Sequence, residues 1–520
     1  MSDLLHAFPT VCEQTLRALA RYPSRTAFSW PGGSLTYSGA TELIGRIQKV
    51  FMQLSLPPGT RVAFLTANRA DTWCAGVAAQ LSRLAITWLH PLGSLDDQLF
   101  QIEDSEAQVL VIDADTFRDR GGDLSARTPN LKAIFTLGAA GYGIDLLAGV
   151  VAMGTATPRC LASADDIATL NYTGGTTGKS KGALRHHREY GGFANAILTD
   201  FEIPDTPRYL AVAPISHVAG TKVLPTLMRG GTVHMLKGFD PGAIFKTIER
   251  ERINFTLFVP TMIYVLLDHP ELDKTDLSSL ELLLYGASAM SPSRLVEGIE
   301  RIGPVFSQLY GQTECYPVSV LRKGDHDPKT PELFLSCGFP IAACDVKILD
   351  DGDHEVKTGE PGEICVRAAH VMSEYWKRPE QTEETLKNGW LHTGDIARAD
   401  ERGYMFILDR KKDMIVSGGF NIFPREIEDV LSQHADVAMV AVVGVPDDKW
   451  GEAVTAVVVA REGARPNADE LINLVKARKG SAHAPKHIKF VNELPMTGVG
   501  KVDKKMLKAG FWAGRDRMVG

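Results

Sequence analysis

Twelve residues, Asn171-Tyr-Thr-Gly-Gly-Thr-Thr-Gly-Lys-Ser-Lys-Gly182, constrain this chain more tightly than any other stretch. Glycines let a backbone approach a ligand closely, amide N–H groups and hydroxyls can face an anion, and lysines add positive charge. The apolar run Ile167–Leu170 ahead of it reads as a buried strand. Beyond a basic turn at Arg185–Arg188, the segment Tyr190–Leu198 has helical character. A strand, a glycine-rich loop and a helix form a usual setting for phosphate. Flexible linkers share this composition, but here a strand runs directly in and two lysines close the loop.

The strand and helix rhythm extends to both sides. Leu43, Ile44, Ile47, Val50, Phe51 and Leu54 fall at helical spacing before Pro57-Pro58-Gly59. Val62–Leu65, Val109–Ile112 and Ala133–Leu137 predict strands, Trp73–Leu84 a helix, and the Gly/Ala-rich passage Gly138–Thr157 a surface crossing. Past the loop, strands are expected at Tyr209–Ala213, Thr232–Leu236, Phe255–Val259, Leu282–Tyr285 and Val305–Tyr310, with helices between them. Such alternation indicates parallel sheets covered on both faces. From Ser336 to Arg367 short strands and tight turns suggest a small partial barrel. After the charged run Asp409–Asp413, a helix at Pro424–Gln433, strands at Val437–Val445 and Val454–Val459, and a helix at Ala468–Arg478 outline an independent α+β unit.

Composition narrows the class. A chain of 520 residues is too long for one core. With 44% hydrophobic and 23% charged residues it matches an ordinary globular enzyme. A net charge of -7 gives no basic excess of the kind nucleic-acid binders show. Seven scattered cysteines without a C-x-x-C argue for reduced thiols in a cytoplasmic protein, against structural zinc. Met1–His6 lacks the basic and apolar regions of a signal peptide, and no apolar run approaches the length of a membrane span.

The P-loop pattern G-x-x-x-x-G-K-[ST] is met at Gly178, Lys179 and Ser180 but fails at Thr173, where its first glycine belongs. Other stretches carry chemistry of their own. Tyr310-Gly-Gln-Thr-Glu314 follows a strand, the end at which α/β sheets bind ligands, and Glu314 is a hard oxygen ligand suited to magnesium. In Gly389-Trp-Leu-His-Thr-Gly-Asp395 and Asp409-Arg410, the Asp395 carboxylate can take both hydroxyls of a ribose while Arg410 adds its fixed fork of donors.

Taken together, Tyr172-Thr-x-Gly-Thr-Thr-Gly-x-x-Lys-Gly182, Tyr310–Glu314, Thr393-Gly-Asp395, Asp409-Arg410 and Pro495-x-Thr-x-x-Gly-Lys501 resemble the adenylate-forming superfamily. That superfamily holds acyl-CoA synthetases, peptide-synthetase adenylation domains and beetle luciferases. The resemblance runs from about residue 10 to 510. It departs from the common loop at Gly174, where serine is usual, and Ser180, where proline is usual.

The resemblance implies that Thr173, Gly174, Gly175, Thr176, Thr177, Gly178 and Lys181 hold phosphate. Tyr310 with Gly311 would stack on adenine, and Gly286, Ala287 and Ser288 would lie on its other face. Thr313 would contact the α-phosphate, Glu314 would bind Mg2+, and Asp395 and Arg410 would hold the ribose. It places a hinge at Lys412, a pantetheine tunnel at Gly418 and Gly419, and the catalytic lysine at Lys501. His217 corresponds to an aromatic gate or pocket-wall histidine, or else is satisfied by local backbone; Trp450 is either a coenzyme A surface or a core residue.

The expected fold is α/β: a large N-terminal domain (1–409) of two helix-covered sheets plus a small distorted β-barrel, and a mobile C-terminal α+β lid (410–520). The expected activity is an ATP-dependent acyl-CoA synthetase using ATP, Mg2+ and coenzyme A on an apolar medium- or long-chain, polycyclic or aryl carboxylic acid. The alternative is an acyl-AMP ligase that loads a carrier protein. A P-loop NTPase or a non-enzymatic ATP-binding module would have no use for Lys501. No nucleic-acid partner or transmembrane segment is expected, and a homodimer is left open.

Overall fold

A computed structural model describes residues 9–173, 180–417, 420–447, 449–496 and 502–512. Two large sheets share one core. In the first, Phe306–Tyr310, Leu282–Gly286, Phe255–Phe258, Arg208–Ala211, Thr232–Met235 and Thr26–Trp30 run parallel in that spatial order. Antiparallel strands finish both edges, Gly33–Thr36 on one side and Ser319–Leu321 with Phe339–Pro340 on the other. In the second sheet Ile167–Tyr172, Ala85–Trp88, Arg61–Leu65, Val109–Asp113 and Ala133–Leu137 are parallel neighbours. Strands such as Val109–Asp113 are buried along their whole length, as parallel strands covered on both faces must be.

The helix Ala70–Leu81 lies between the two sheets and is buried at nearly every position. Trp73 meets Phe28 of the first sheet, with ring centroids 5.2 Å apart. Gly76 faces Ile86 and Trp88 of the second, where an added Cβ would already stand 3.3 Å from Ile86 Cδ1. Small residues (Ala75, Gly76, Ala78, Ala79) let one helix fit between two sheets at interior packing density.

Three expectations need correction. The glycine-rich loop leads into a strand, Gly182–His186, that pairs antiparallel with Ile167–Tyr172, so it closes a hairpin instead of opening a helix. The expected basic turn Arg185–Arg188 therefore begins inside a strand. The following helical segment is two helices, His187–Tyr190 and Phe193–Asp200, separated by Gly191-Gly192, residues of low helix propensity. The passage Gly138–Thr157, largely exposed as a surface crossing should be, also carries a short strand, Ile144–Asp145, and a helix, Leu146–Ala152, that buries Leu146 and Val150.

A third, antiparallel sheet joins Cys344–Leu349, Gly362–Ala368, Trp390–Ala399, Leu386–Lys387 and Met405–Arg410. It extends well past Arg367, where the sequence pattern seemed to end it, and it is the small barrel. A smaller C-terminal domain follows. Its sheet pairs Val437–Asp447 with Gly451–Ala460, and helices Pro424–Leu431 and Ala468–Lys479 close a separate core around Ile427, Leu431, Val442, Val454 and Leu471. No described helix is long and apolar enough to cross a membrane.

Asn68 ties the two large sheets together just where strands of the first one end. It follows strand Arg61–Leu65, and its buried amide lies 3.1 Å from the carbonyls of Val212, Ala213 and Leu236. Its Oδ1 accepts the Ile215 N–H at 2.8 Å. Asn68→Leu would leave these buried groups unpaired, at a cost of about 1–3 kcal/mol. The expected result is a lower urea midpoint for the first unfolding transition; an unchanged midpoint would show that the amide is not the tie.

Candidate active site

Asp395 is the centre of the site. It lies on strand Trp390–Ala399, directly opposite Arg410 of strand Met405–Arg410, and is almost fully buried. Its Oδ2 accepts from the Tyr310 hydroxyl and from Gln312 Nε2, both at 2.6 Å, while Oδ1 pairs with Arg410 Nε at 2.6 Å. Gln312 Nε2 also donates to the Thr393 carbonyl at 2.9 Å. The strand end of the first sheet and two barrel strands thus converge on one carboxylate. Burial, reinforced by this carboxylate, pushes the Tyr310 phenol well up, so it stays a proton donor. Gln312 stood inside the motif, but only its contact with Asp395 reveals its part.

Beside this hub stands Glu314. Its Oε1 accepts from the Tyr375 hydroxyl, and its backbone carbonyl accepts the Met372 N–H at 2.7 Å. Lys181 Nζ lies 4.0 Å from the Tyr375 ring centroid, a cation over an aromatic face. Burial lowers the Lys181 ammonium, and the Glu314 carboxylate opposes that shift. Arg185, buried within strand Gly182–His186, donates to the Thr313 carbonyl and so pins the loop that presents Thr313 and Glu314. Tyr375 and Arg185 carried no sequence signal, because their partners lie far away in the chain.

The segment expected to face adenine is built by a close approach. A Cβ on Gly286 would sit 2.5 Å from the Leu309 carbonyl oxygen, so only glycine lets strands Leu282–Gly286 and Phe306–Tyr310 lie this near each other. Ala287 follows with φ of +67°, and Ala287 and Ser288 are exposed. Tyr285, just before this segment, points into the core. It is fully buried, its hydroxyl 2.9 Å from His326 Nε2.

His217 bonds through Nδ1 to Ser216 Oγ at 2.8 Å, and its ring meets that of His90 with centroids 4.4 Å apart. Burial, with His90 nearby, brings its pKa down to about 3, so its ring is neutral at any working pH. It is satisfied by a neighbouring hydroxyl and by ring packing. Lys412 is exposed on the turn Lys411–Asp413, and its ammonium is lowered by partial burial and by the nearby cations Arg410 and Lys181. Trp450 is not a core residue. It is half-buried between Lys449 and Lys486, each Nζ 4.9 Å from its ring centroid.

Thr173 and Lys181 bracket the glycine-rich loop, with Thr173 N–H donating to the Lys181 carbonyl at 2.9 Å. Gly174, Gly175, Thr176, Thr177 and Gly178 lie outside the described residues, as do Gly418, Gly419 and Lys501. Folding also gathers Cys315, Cys344 and His370, whose sulfur and nitrogen atoms lie within 4.8 Å of one another. His370 Nε2 is 2.7 Å from the Pro317 carbonyl, so this ring nitrogen is engaged with a carbonyl oxygen.

Residues 16–376 match the AMP-binding enzyme family, and residues 426–501 match the AMP-binding enzyme C-terminal domain. The chain is 42% identical over 518 residues to the medium/long-chain-fatty-acid–CoA ligase FadD8 of Mycobacterium tuberculosis, covering 97% of this chain and 90% of that one. It is 35% identical over 495 residues to a feruloyl-CoA synthase of an Amycolatopsis species, covering 94% and 96%. Among solved structures it is similar to the amide bond synthetase McbA from Marinactinospora thermotolerans, with a TM-score of 0.89, 32% identity and coverage of 97% and 100%.

The hub has a measurable structural role. Asp395→Ala removes the acceptor of three donors, and losing one hydrogen bond to a charged group costs about 1.5–3 kcal/mol. A lower thermal midpoint is expected without any ligand present. Melting together with the wild type would mean that the three donors find other acceptors.

Proposed function

The chain belongs to the AMP-binding enzyme family and is an enzyme that ligates acids to coenzyme A; we propose that its acid is apolar, of medium or long chain, polycyclic or aryl. The observation that carries this is the convergence of Tyr310, Gln312, Asp395 and Arg410 beside Glu314, at the carboxyl end of a parallel sheet. Together with 42% identity to a fatty-acid–CoA ligase over 97% of the chain, it supports a nucleotide site serving acyl transfer to a thiol.

In this reading the acid's carboxylate attacks the α-phosphorus of ATP, the bond to the β-phosphate oxygen breaks, and acyl-AMP and pyrophosphate result. The coenzyme A thiol then loses its proton and attacks the acyl carbon, and AMP leaves. No protein nucleophile takes part, so positioning and charge stabilisation supply the catalysis.

Asp395 receives the ribose hydroxyls while Arg410 holds its carboxylate in place. Tyr310, kept in position through its hydroxyl, offers a ring to adenine, and Gly286–Ser288 borders the other face. Thr173–Gly178 and Lys181 cradle the phosphates, with Lys412 and Arg410 adding positive charge, and Thr313 faces the α-phosphate. Glu314 fits magnesium: Tyr375 occupies one carboxylate oxygen, and the other carries no hydrogen bond to a described residue. Such an ion takes one or two carboxylates plus phosphate oxygens. When bound, it neutralises charge on the triphosphate. His217, neutral, serves as a wall of the acid site and not as an acid or base.

The acid class is supported by Val218–Thr221 and Val259–Tyr264, which offer small and apolar side chains, and by relatives named for fatty and feruloyl substrates. A carboxylic-acid panel scored by AMP release, with and without coenzyme A, tests it. Preference for acetate or a free amino acid would refute it.

Residues 410–520 are proposed as a lid that turns at Lys412, presenting Lys501 for adenylation and Gly418-Gly419 for the thiol. Lys501→Ala is then expected to abolish acyl-AMP formation yet still convert supplied acyl-AMP to thioester. Gly419→Leu is expected to do the reverse. Equal loss of both half-reactions in both variants would mean one closed arrangement serves the whole reaction. Asp395→Ala is expected to raise KM for ATP, while Glu314→Ala chiefly alters the dependence on magnesium; swapped effects would invert the two assignments.

A further inference from the structure

Lys222 is completely buried. Its ammonium donates to Thr221 Oγ1 at 2.9 Å and to the Tyr316 hydroxyl, and it lies 4.6 Å from the Tyr316 ring centroid and 5.4 Å from that of Phe201. Among the described residues no carboxylate pairs with it, and burial alone drives the ammonium well below the ordinary lysine range. Dehydrating a cation without an anion carries an effective penalty of several kcal/mol. Rule-breaking placements of this kind concentrate at functional sites.

Its position is equally specific. Lys222 ends the turn Gly220–Lys222, in the loop beyond strand Arg208–Ala211 that also carries His217. Tyr316 stands two residues past Glu314, beyond strand Phe306–Tyr310. Strands Phe255–Phe258 and Leu282–Gly286 lie between those two in the sheet, so the contact bridges over their ends, on the side of the candidate site. The turn has no slack, since a Cβ on Gly220 would fall 1.8 Å from the Ile215 carbonyl oxygen. Thr221 and Tyr316 are only half-buried. The Tyr316 oxygen accepts from Lys222 Nζ, so the Tyr316 hydroxyl keeps its own proton for donation.

We infer that Lys222, Thr221 and Tyr316 form a polar subsite for an oxygen function of the acid, carried at a distance from the carboxylate that reacts. The inference rests on the acyl-CoA synthetase assignment and narrows its substrate to an apolar skeleton bearing one ketone, carboxylate or phenol oxygen. Tyr316 donates to that oxygen. Lys222 positions the phenol and, where the oxygen is anionic, supplies the countercharge. A purely aliphatic tail would bury these groups against carbon, and sites built to hydrogen-bond an oxygen reject analogues lacking it strongly.

The test uses the full chain with ATP, magnesium and coenzyme A, and sets of acids sharing one carbon skeleton whose far end is methyl, ketone or carboxylate. AMP release gives kcat/KM for each acid. The wild type is expected to favour an oxygen-bearing member by about tenfold or more. Tyr316→Phe and Lys222→Met are each expected to reduce that ratio about tenfold through KM for the acid, with KM for ATP unchanged. A preference confined to the carboxylate member supports the subsite with Lys222 as the charged partner, and one that includes the ketone supports hydrogen bonding by Tyr316. Wild-type preference for the methyl member, or an unchanged ratio in the variants, overturns the subsite while leaving the synthetase assignment standing. Absence of AMP release with every acid removes both. Tyr316→Phe keeps the ring, so it decides alone if Lys222→Met does not fold.

Discussion

A buried carboxylate must be satisfied, and the way Asp395 is satisfied organises the molecule. Each of its partners arrives from a different place: Tyr310 from the end of the first sheet, Gln312 from the loop beyond it, Arg410 from the neighbouring barrel strand. A charge taken out of water at this depth is tolerated only with such a set of donors. The large sheet and the small barrel are therefore fastened to each other at the point where the nucleotide site is proposed. The strand that carries Arg410 leads directly into the C-terminal domain.

Around that hub the proposed phosphate site would draw on side-chain cations, where a P-loop relies on a helix N-terminus. The strands on either side of Thr173 and Lys181 pair as a hairpin, so the chain beyond Lys181 continues as a strand and not as a helix. Positive charge would come instead from Lys181 on the hairpin and from Arg410 and Lys412 at the end of a barrel strand. Arg185 and Tyr375 form the layer beneath, one holding the Thr313 carbonyl and the other holding Glu314. A layer that locks the orientation of contact residues is what a preorganised electrostatic site requires.

Much of the architecture was legible in the order of residues. Val109–Asp113 and Leu282–Gly286 are buried in full, and a run of apolar residues can mean little else when turns bound it on both sides. Tyr310–Glu314 was expected to follow a strand and does, while Asp395 sits inside one, Trp390–Ala399. Local reading failed where a distant partner outvoted it. Arg185 looked like part of a basic turn because His186, His187 and Arg188 follow it in sequence; in the fold it lies inside a strand and reaches Thr313. Tyr285 turns into the core toward His326, forty-one residues on, a partner that no local pattern indicates.

The chain's sequence by itself determined the class of the fold, the family and the residue types proposed for phosphate, ribose and magnesium, since each is carried by short-range pattern and spacing. Only the tertiary structure decided which of those residues meet. Gln312 joins Asp395, Tyr375 joins Glu314, and His90 packs on His217 because sheet order and strand register bring their loops to one edge. Lys222 makes the same point most sharply. In sequence it is one lysine among many, and nothing local says it is buried. Its chemistry follows from desolvation and from the hydroxyl of Tyr316, and both exist only once the loops beyond two separated strands have closed over it.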